Sequence, residues 1–469
     1  MISAVSSVRP NPVRRLPGMR DFDAGARQRK QDVERRLADF IGRFGYSALE
    51  VPVLETTELF LRKSGGDLAS QMYSFVDPGS NAISLRPEFT SAIMRHYLEI
   101  HGHSDESPLV RWQYCGPVFR YDTGSAADTG QFTQVGAELV GSNSILADAE
   151  LLTLAAGIPA ELGIPDYRIR LADLDVLDSV LDTVGLSDRA REFIVANMNR
   201  IGESGDSLAA TLQRAAELHV VSGIGLPDEE KHLAVAVTGL PDGAARSVLA
   251  GFMRWNTSAD MPLGRRTPDE IVDRLLRKLR GGDASDAVKR GLALAGQLAS
   301  VKGDPAHALP RAQSIVAAAG ADTQSIDRLI ALTSLIGEDP AVSRRLEIDF
   351  SLARGIAYYN GIIFDIVRGD ADASLGGGGR YDALARALGG PAPVPALGFA
   401  CTVEALLSAM PPADEPETDP DSVLISPDDE GSNAAALRAA ADIRAQGGVA
   451  VLDVGGNDVR SDFRRTATV

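Results

Sequence analysis

Apolar positions along this chain switch between two periods, and the switches mark out its elements. Over residues 23–44, Val33, Leu37, Phe40, Ile41 and Phe44 recur on one helical face, and Gly45 follows as a stop signal. Residues 45–55 (GYSALEVPVLE) read as a strand with a proline near its exit. Two short apolar runs within 72–90 flank Asp77-Pro78-Gly79, the chemistry of a turn between antiparallel strands, and a helix is expected from about 91 to 100. Residues 109–121 (LVRWQYCGPVFRY) and 131–141 (QFTQVGAELVG) read as two strands joined by a Gly-containing loop. A helix over 144–162 turns Ile145, Leu151, Leu152 and Ala155 inward, and Tyr167, Ile169 and Leu171 alternate as a strand.

From about 176 to 335 the pattern becomes long Ala/Leu-rich helical segments, and no chemistry stands out in them. Strands return at 345–367 and 396–401. Strands, then helices, then strands again predict an α+β fold: an antiparallel sheet flanked by helices, its core split between 1–175 and 336–410 by a mostly helical insertion, 176–335. Residues 411–421 (PPADEPETDPD) form an acidic, Pro-rich linker. The tail, 422–469, carries one β-α-β unit. That is too small to bury a core alone, so it must dock on something or be a remnant.

Composition changes this picture only at the margins. The 469 residues are 44% apolar and 24% charged, ordinary for a globular protein, which rules out disorder throughout. The net charge of −17 argues against a protein that coats nucleic acid, since that requires a surplus of cations. The two cysteines, Cys115 and Cys401, are too few for a disulfide framework or a thiolate zinc site and read as buried small hydrophobes in strands. Six histidines form no metal-ligand pattern; His96, His101 and His103 read as the polar end of a helix and its loop. The N-terminus is basic without an apolar core, so it is no secretory signal, and no apolar run approaches the ~18 residues that would span a membrane. A soluble cytoplasmic protein is expected.

Three clusters could carry chemistry. Arg86-Pro87-Glu88-Phe89-Thr90 lies at a strand-to-helix junction, where the acid could accept from a ligand ammonium or simply cap the helix. Phe119-Arg120 is followed by Gln134 and Glu138, four apart on a strand and so on one face with Phe132 and Gly136. That face is either solvated or a polar floor for an amino-acid ligand, because an unpaired buried charge is costly. The third cluster pairs Arg354-Gly355-Ile356-Ala357-Tyr358-Tyr359 with Leu375 and the run Gly376–Gly379 before Arg380-Tyr381-Asp382. The glycine run fits no nucleotide fingerprint and, taken alone, reads as a flexible turn.

Together and in this order the motifs resemble the catalytic core of the histidyl-tRNA synthetase family, a class II synthetase fold. GMRDF, RPE-x-T, FR…QF-x-Q-x-G-x-E, RG-x-x-YY, GGRYD and GFA fall in family order over about 17–175 and 345–410. The resemblance implies a histidine pocket. Glu88 and Thr90 would hold the ligand amino group, and Arg120 the carboxylate and phosphate side. Gln134 and Glu138 would be further pocket residues, Tyr358 and Tyr359 would lie beside the imidazole, and Arg354 would match an activating arginine. No cofactor or metal is implied.

The departures cluster on the activation machinery. Residues 121–130 read YDTGSAADTG, with two aspartates where the synthetases carry cations, and Asp122 stands for the adenine-contacting Glu. Ala405 occupies the place of the arginine that stacks on adenine, Ala357 replaces an Asp, and the anticodon-binding domain is cut to about its first half. Ala offers neither a cation nor a planar group. This pattern resembles the synthetase-like regulatory subunits of ATP phosphoribosyltransferase, which act at the first step of histidine biosynthesis. It implies a non-catalytic histidine sensor that relays feedback inhibition. The implied partners are the short catalytic subunit and a second copy of the chain through the class II core, with no tRNA and no membrane. Two other readings stand beside it: a divergent histidine–tRNA ligase, and a free-standing histidine-binding protein.

Overall fold

The computed structural model describes residues 13–62, 66–102, 107–121, 130–202, 205–218, 220–221, 237, 240, 242–256, 272, 282–352, 359–369, 373–412, 422–428, 432–454 and 465–468. Two compact units divide the chain, Met1–Met410 and Pro411–Val469.

The first unit is built on a nine-stranded sheet. Its strands are β1 (Ser47–Ala48), β5 (Val110–Phe119), β6 (Gln131–Val140), β7 (Tyr167–Asp173), β8 (Lys302–Gly303), β9 (Leu346–Asp349), β10 (Asn360–Arg368), β11 (Ala373–Arg380) and β12 (Ala396–Thr402). The intervening numbers belong to a small separate sheet of β2 (Leu54–Thr56), β3 (Ser74–Val76) and β4 (Ala82–Leu85). The large sheet runs β1-β5-β6-β12-β11-β10-β7-β9-β8. Every pair from β5 to β7 is antiparallel, as the alternating patterns predict, while β1–β5 and β7–β9 are parallel, so the whole is mixed. The α+β fold is the one expected.

Alternation along β6 sets the two faces. Val135, Ala137 and Leu139 point into an apolar layer shared with Val33, Leu37 and Ile41 of the helix Ala24–Gly42 and Leu151, Leu152 and Ala155 of the helix Ile145–Glu161. The first helix begins where Asp23 accepts the Ala26 N–H, and Gly45 leaves it at φ +83°. On the other face, Phe89, Ala92 and Ile93 of the Thr90–His101 region pack against Tyr114 and Val118 of β5. Gln134, Gly136 and Glu138 therefore face this second layer.

Several expectations are corrected. Residues 45–55 are not one strand: β1 and β2 join different sheets. The segment between them is held by the buried Arg86 guanidinium, which donates to the Val51 carbonyl at 2.7 Å and to the Pro117 carbonyl at 2.9 Å, in place of a strand ladder. Strands do return within 345–367, as β9 and β10. β9 ends where Asp349 accepts the Ser351 N–H and hydroxyl at 2.9 and 2.6 Å. The glycine run is no turn but the centre of β11, bonded on both sides. Cys401 is buried as expected, whereas Cys115 is exposed; an apolar run alone does not say which face of a strand is covered.

The described helices of 176–335 lie within the first unit. Val176, Leu177, Val288, Leu292, Ala295, Leu329 and Leu332 belong to the same apolar cluster as Ile169, Ile348 and Phe364 of the sheet. His96 and His101 sit on the helix Thr90–His101 with their rings 5.5 Å from Trp112 and 5.0 Å from Tyr97; His103 lies outside the described residues. No helix among the described residues is long and apolar enough to cross a membrane.

The second unit is a three-stranded parallel sheet, β14 (Ala450–Leu452), β13 (Val423–Ser426) and β15 (Arg465–Thr468), with the helix Asn433–Ala445. Ile425, Ala436, Ala440 and Ala450 are its buried centre. β15 adds a strand to the expected β-α-β unit; RTAT is too short and polar to announce itself.

Candidate ligand-binding site

The strand-to-helix junction supplies one wall of a cavity of about 230 Å³. Glu88 is buried, and both its carboxylate oxygens accept the Ser91 N–H at 3.2 Å, so it does cap the helix. It also lines the cavity. Burial pushes its carboxyl above the usual range, while the Ser91 bonds and the Arg120 charge pull it back. Arg120, just past β5, is held at the wall by its Nε, which donates to the Pro87 carbonyl at 3.0 Å, and its guanidinium lies 5.3 Å from the centre of the Phe132 ring.

β6 supplies the floor. Phe132 and Gln134 line the cavity, and Gln134 is buried with its Oε1 bonded to nothing. A buried carbonyl oxygen without a donor is costly unless a ligand supplies one. Glu138 lies one layer deeper and does not line the cavity. It is fully buried; Oε1 accepts from Thr90 Oγ1 at 2.7 Å and Oε2 from the Tyr381 hydroxyl. The Tyr114 hydroxyl lies 3.4 Å from Glu138 Oε1 and 3.2 Å from the Phe399 carbonyl. Burial pushes the Glu138 carboxyl up to about 8, against the pull of these hydroxyls. Thus Glu138 acts as a buried anchor that fixes the Thr90, Tyr114 and Tyr381 hydroxyls lining the cavity.

Glycines make room for this arrangement. In register, Glu138 faces Gly398 of β12, and a Cβ there would sit 1.5 Å from Glu138 Oε2. Backbone from β11 and β12 completes the wall with Gly376, Gly377, Phe399 and Ala400, and Tyr359, Ser374 and Thr402 add polar atoms.

Of the residues that the motifs singled out, Glu88, Thr90, Arg120, Gln134 and Tyr359 meet at this cavity. Arg354 and Tyr358, with Asp122 and Ala357, lie outside the described residues. Motif reading passed over Tyr114, Ser374, Tyr381, Phe399 and Thr402 as site residues. Tyr381 stood inside GGRYD, and Tyr114 pairs across the sheet with Gly136, where a Cβ would come within 2.5 Å of its hydroxyl. A large ring opposite an obligatory glycine is a signal, but only once the register is known. Ala405, on the helix Val403–Ala409, packs against the apolar core.

The arrangement suits a small polar molecule with N–H groups. The volume falls below the roughly 300–1,000 Å³ typical of pockets for drug-sized ligands. Glu88 and the orphan Gln134 oxygen are acceptors, the hydroxyls take either role, and Arg120 suits a carboxylate or phosphate.

A family model described as histidyl-tRNA synthetase matches residues 18–225 and 272–406. The histidine–tRNA ligase of Pyrobaculum arsenaticum is 29% identical over 456 residues, covering 97% of this chain and 88% of its own length. That of Pyrococcus horikoshii is 26% identical over 400 residues, covering 85% and 75%. A Bacillus halodurans structure described as an ATP phosphoribosyltransferase regulatory subunit/histidyl-tRNA synthetase superposes with a TM-score of 0.64 at 20% identity, covering 98% of this chain and 99% of that one. The apo S. aureus histidyl-tRNA synthetase superposes at 0.53 and 19% identity, covering 98% and 91%. These structures share the fold.

Proposed function

The chain belongs to the histidyl-tRNA synthetase family, and we propose that it is a regulatory rather than a catalytic member: the histidine-sensing subunit of ATP phosphoribosyltransferase. One observation carries this reading. The cavity offers the acceptors and hydroxyls that an amino acid needs, and Arg120 is the one cation among the described residues that line it. Adenylation requires several cations to clamp a triphosphate as charge develops. Residues 121–130 contain no lysine or arginine, and Ala405, half-buried against the core, stands where the family resemblance implies a stacking arginine. Losing such groups costs several kcal/mol of barrier, and each ~1.4 kcal/mol is tenfold in rate.

In this reading, the histidine ammonium meets Glu88 and Thr90, its carboxylate meets Arg120, and the Gln134 oxygen accepts a ligand N–H. Tyr359 stands beside the ring. Binding favours one arrangement of a complex with the short catalytic subunit in which phosphoribosyl transfer is less competent. Such coupling is typically about 1–3 kcal/mol. A second copy of the chain is the other partner proposed.

The second reading, a divergent histidine–tRNA ligase, draws on the retained Arg120 and on the ligase names of the curated relatives. One pair of assays separates the two. Isothermal titration should show histidine binding without ATP, and histidine should lower transferase activity when the chain is mixed with a short catalytic subunit. Absence of binding at millimolar histidine, or histidine-dependent ATP–pyrophosphate exchange at ligase rates, would overturn the proposal.

A further inference from the structure

β10 runs between two cavities. Tyr359, just before it, lines the site above, and Gly369, just after it, lines a second, open cavity of about 540 Å³. The two linings share no residue.

We propose that the second cavity binds a small phosphate-bearing molecule. Among the described residues, its lining brings Arg168, Arg344 and Arg345 together with one acid, Asp166, while Asp339 lies near enough to act on the lining Tyr167. In a chain with a net charge of −17, arginines gathered at one cavity stand out as a place for an anion. Two of the arginines donate to neighbouring backbone carbonyls. The Arg345 guanidinium lies 4.0 Å from the centre of the Tyr167 ring, and its Nη1 donates to the Tyr167 carbonyl at 3.3 Å. Arg168 Nη2 donates to the Gly369 carbonyl at 3.2 Å. For Arg345, neither contact neutralises the charge, so the fork is oriented but still available to an anion. Arg344 is exposed beside it.

The corner that carries these groups is strained. Asp166 holds φ +51°, a left-handed conformation unusual for a residue with a Cβ, and its carbonyl accepts from Gly369, itself at φ +70°. The strained turn brings the start of β7 and the end of β10 together at the cavity. Planar guanidinium forks match phosphate oxygens two at a time, which an ammonium cannot do. The volume exceeds what a bare phosphate needs and lies in the range of small-molecule pockets. Pro340 and Ala341 give an apolar wall for the rest of the ligand, and Asp166 can accept from its hydroxyl groups.

Inorganic pyrophosphate is the probe, titrated calorimetrically into the full chain in low-chloride buffer. The wild type should bind it at millimolar concentration or below. Arg344→Ala, a change at an exposed side chain, should weaken binding about tenfold or more, and Arg344→Glu should abolish it, with histidine titration of both variants unchanged. Arg345→Lys keeps the charge but loses the fork, and should weaken binding too. Arg120→Ala tests the first cavity and should leave pyrophosphate binding intact. No binding by the wild type, wild-type affinity in both Arg344 variants, or loss of binding in Arg120→Ala alone would each overturn the proposal.

Discussion

Glu138 has hydroxyls, not cations, around its carboxyl, and that choice makes it sensitive to pH. Its folded-state value is pushed up to about 8 by burial, whereas in the unfolded chain a Glu carboxyl titrates near 4.3. Below that lower value both states hold the proton, and the contribution to stability is fully present. As pH rises from about 4.5 towards 8, the unfolded chain gives up its proton first, so stability falls until the folded group also ionises. Denaturant unfolding across this window should show the decline, and Glu138→Gln should make it shallower. Asp173, also pushed up to about 8 by burial, supplies a residual slope. An unchanged slope in Glu138→Gln would mean that Glu138 ionises normally. Gln134 poses a different test, because its Oε1 has no donor when the cavity is empty. Gln134→Leu removes no hydrogen bond made by that atom, so thermal stability should hold or rise slightly, while histidine affinity falls by about 1–3 kcal/mol. A variant that loses stability and affinity together would point to a structural role for this side chain instead.

Among the elements, the glycine strand shows best what local pattern can and cannot convey. A helix such as Ala24–Gly42 announces itself through its own period and its own stop residue, and β5 and β6 through their own alternation. The run Gly376–Gly379 has no side chains to alternate, and its reason lies across the sheet. A Cβ on Gly376 would meet the Ala400 carbonyl at 2.5 Å, and one on Gly378 the Gly398 carbonyl at 2.0 Å. The break in residues 45–55 is hidden in the same way, since Arg86 enters from another element. The site divides along this line. Glu88, Thr90, Arg120 and Gln134 were legible because each sits within a short motif, whereas Tyr114 and Phe399 become site residues only through strand register. Gly398 tests the cross-strand fit directly. Gly398→Ala puts a methyl on Glu138 Oε2 and should destabilise the chain by about 3 kcal/mol, at the upper end for overpacking. Adding Glu138→Ala should recover part of that loss, because the two changes share one space. Strict additivity of the two losses in denaturant midpoints would show that the clash is relieved elsewhere.

Among the described residues of the first unit, the longest-range polar tie joins the helix Ala24–Gly42 to the helix Val403–Ala409. Lys30 is 8% exposed on the helix Ala24–Gly42, yet its Nζ reaches Glu404 Oε1 at 2.7 Å, 374 residues away, and also donates to Thr133 Oγ1. The second Glu404 oxygen accepts the Thr133 N–H at 2.8 Å, and the Phe22 ring lies 4.7 Å from Nζ. Three distant stretches thus meet beside Gln134, the neighbour of Thr133. Nothing in the periodicity of any one stretch foretells this, since helix patterning predicts a lysine in solvent. Burying a pair is weak evidence for net stability, but breaking it strands a charge. Lys30→Met should therefore cost about 3 kcal/mol, the low end for a buried pair, because the Glu404 side chain keeps 21% exposure and its bond from Thr133. Lys30→Met/Glu404→Leu should cost clearly less than the two single changes together, since it removes both members of the pair and leaves Glu34, 3.9 Å from Nζ, to its other partner Arg27. The measurement is the urea midpoint at constant m, with histidine titration alongside. If the double variant equals the sum of the singles, the pair is solvated and does not tie the helices together. If it recovers stability but not histidine affinity, the pair's role is to hold the strand that carries Gln134.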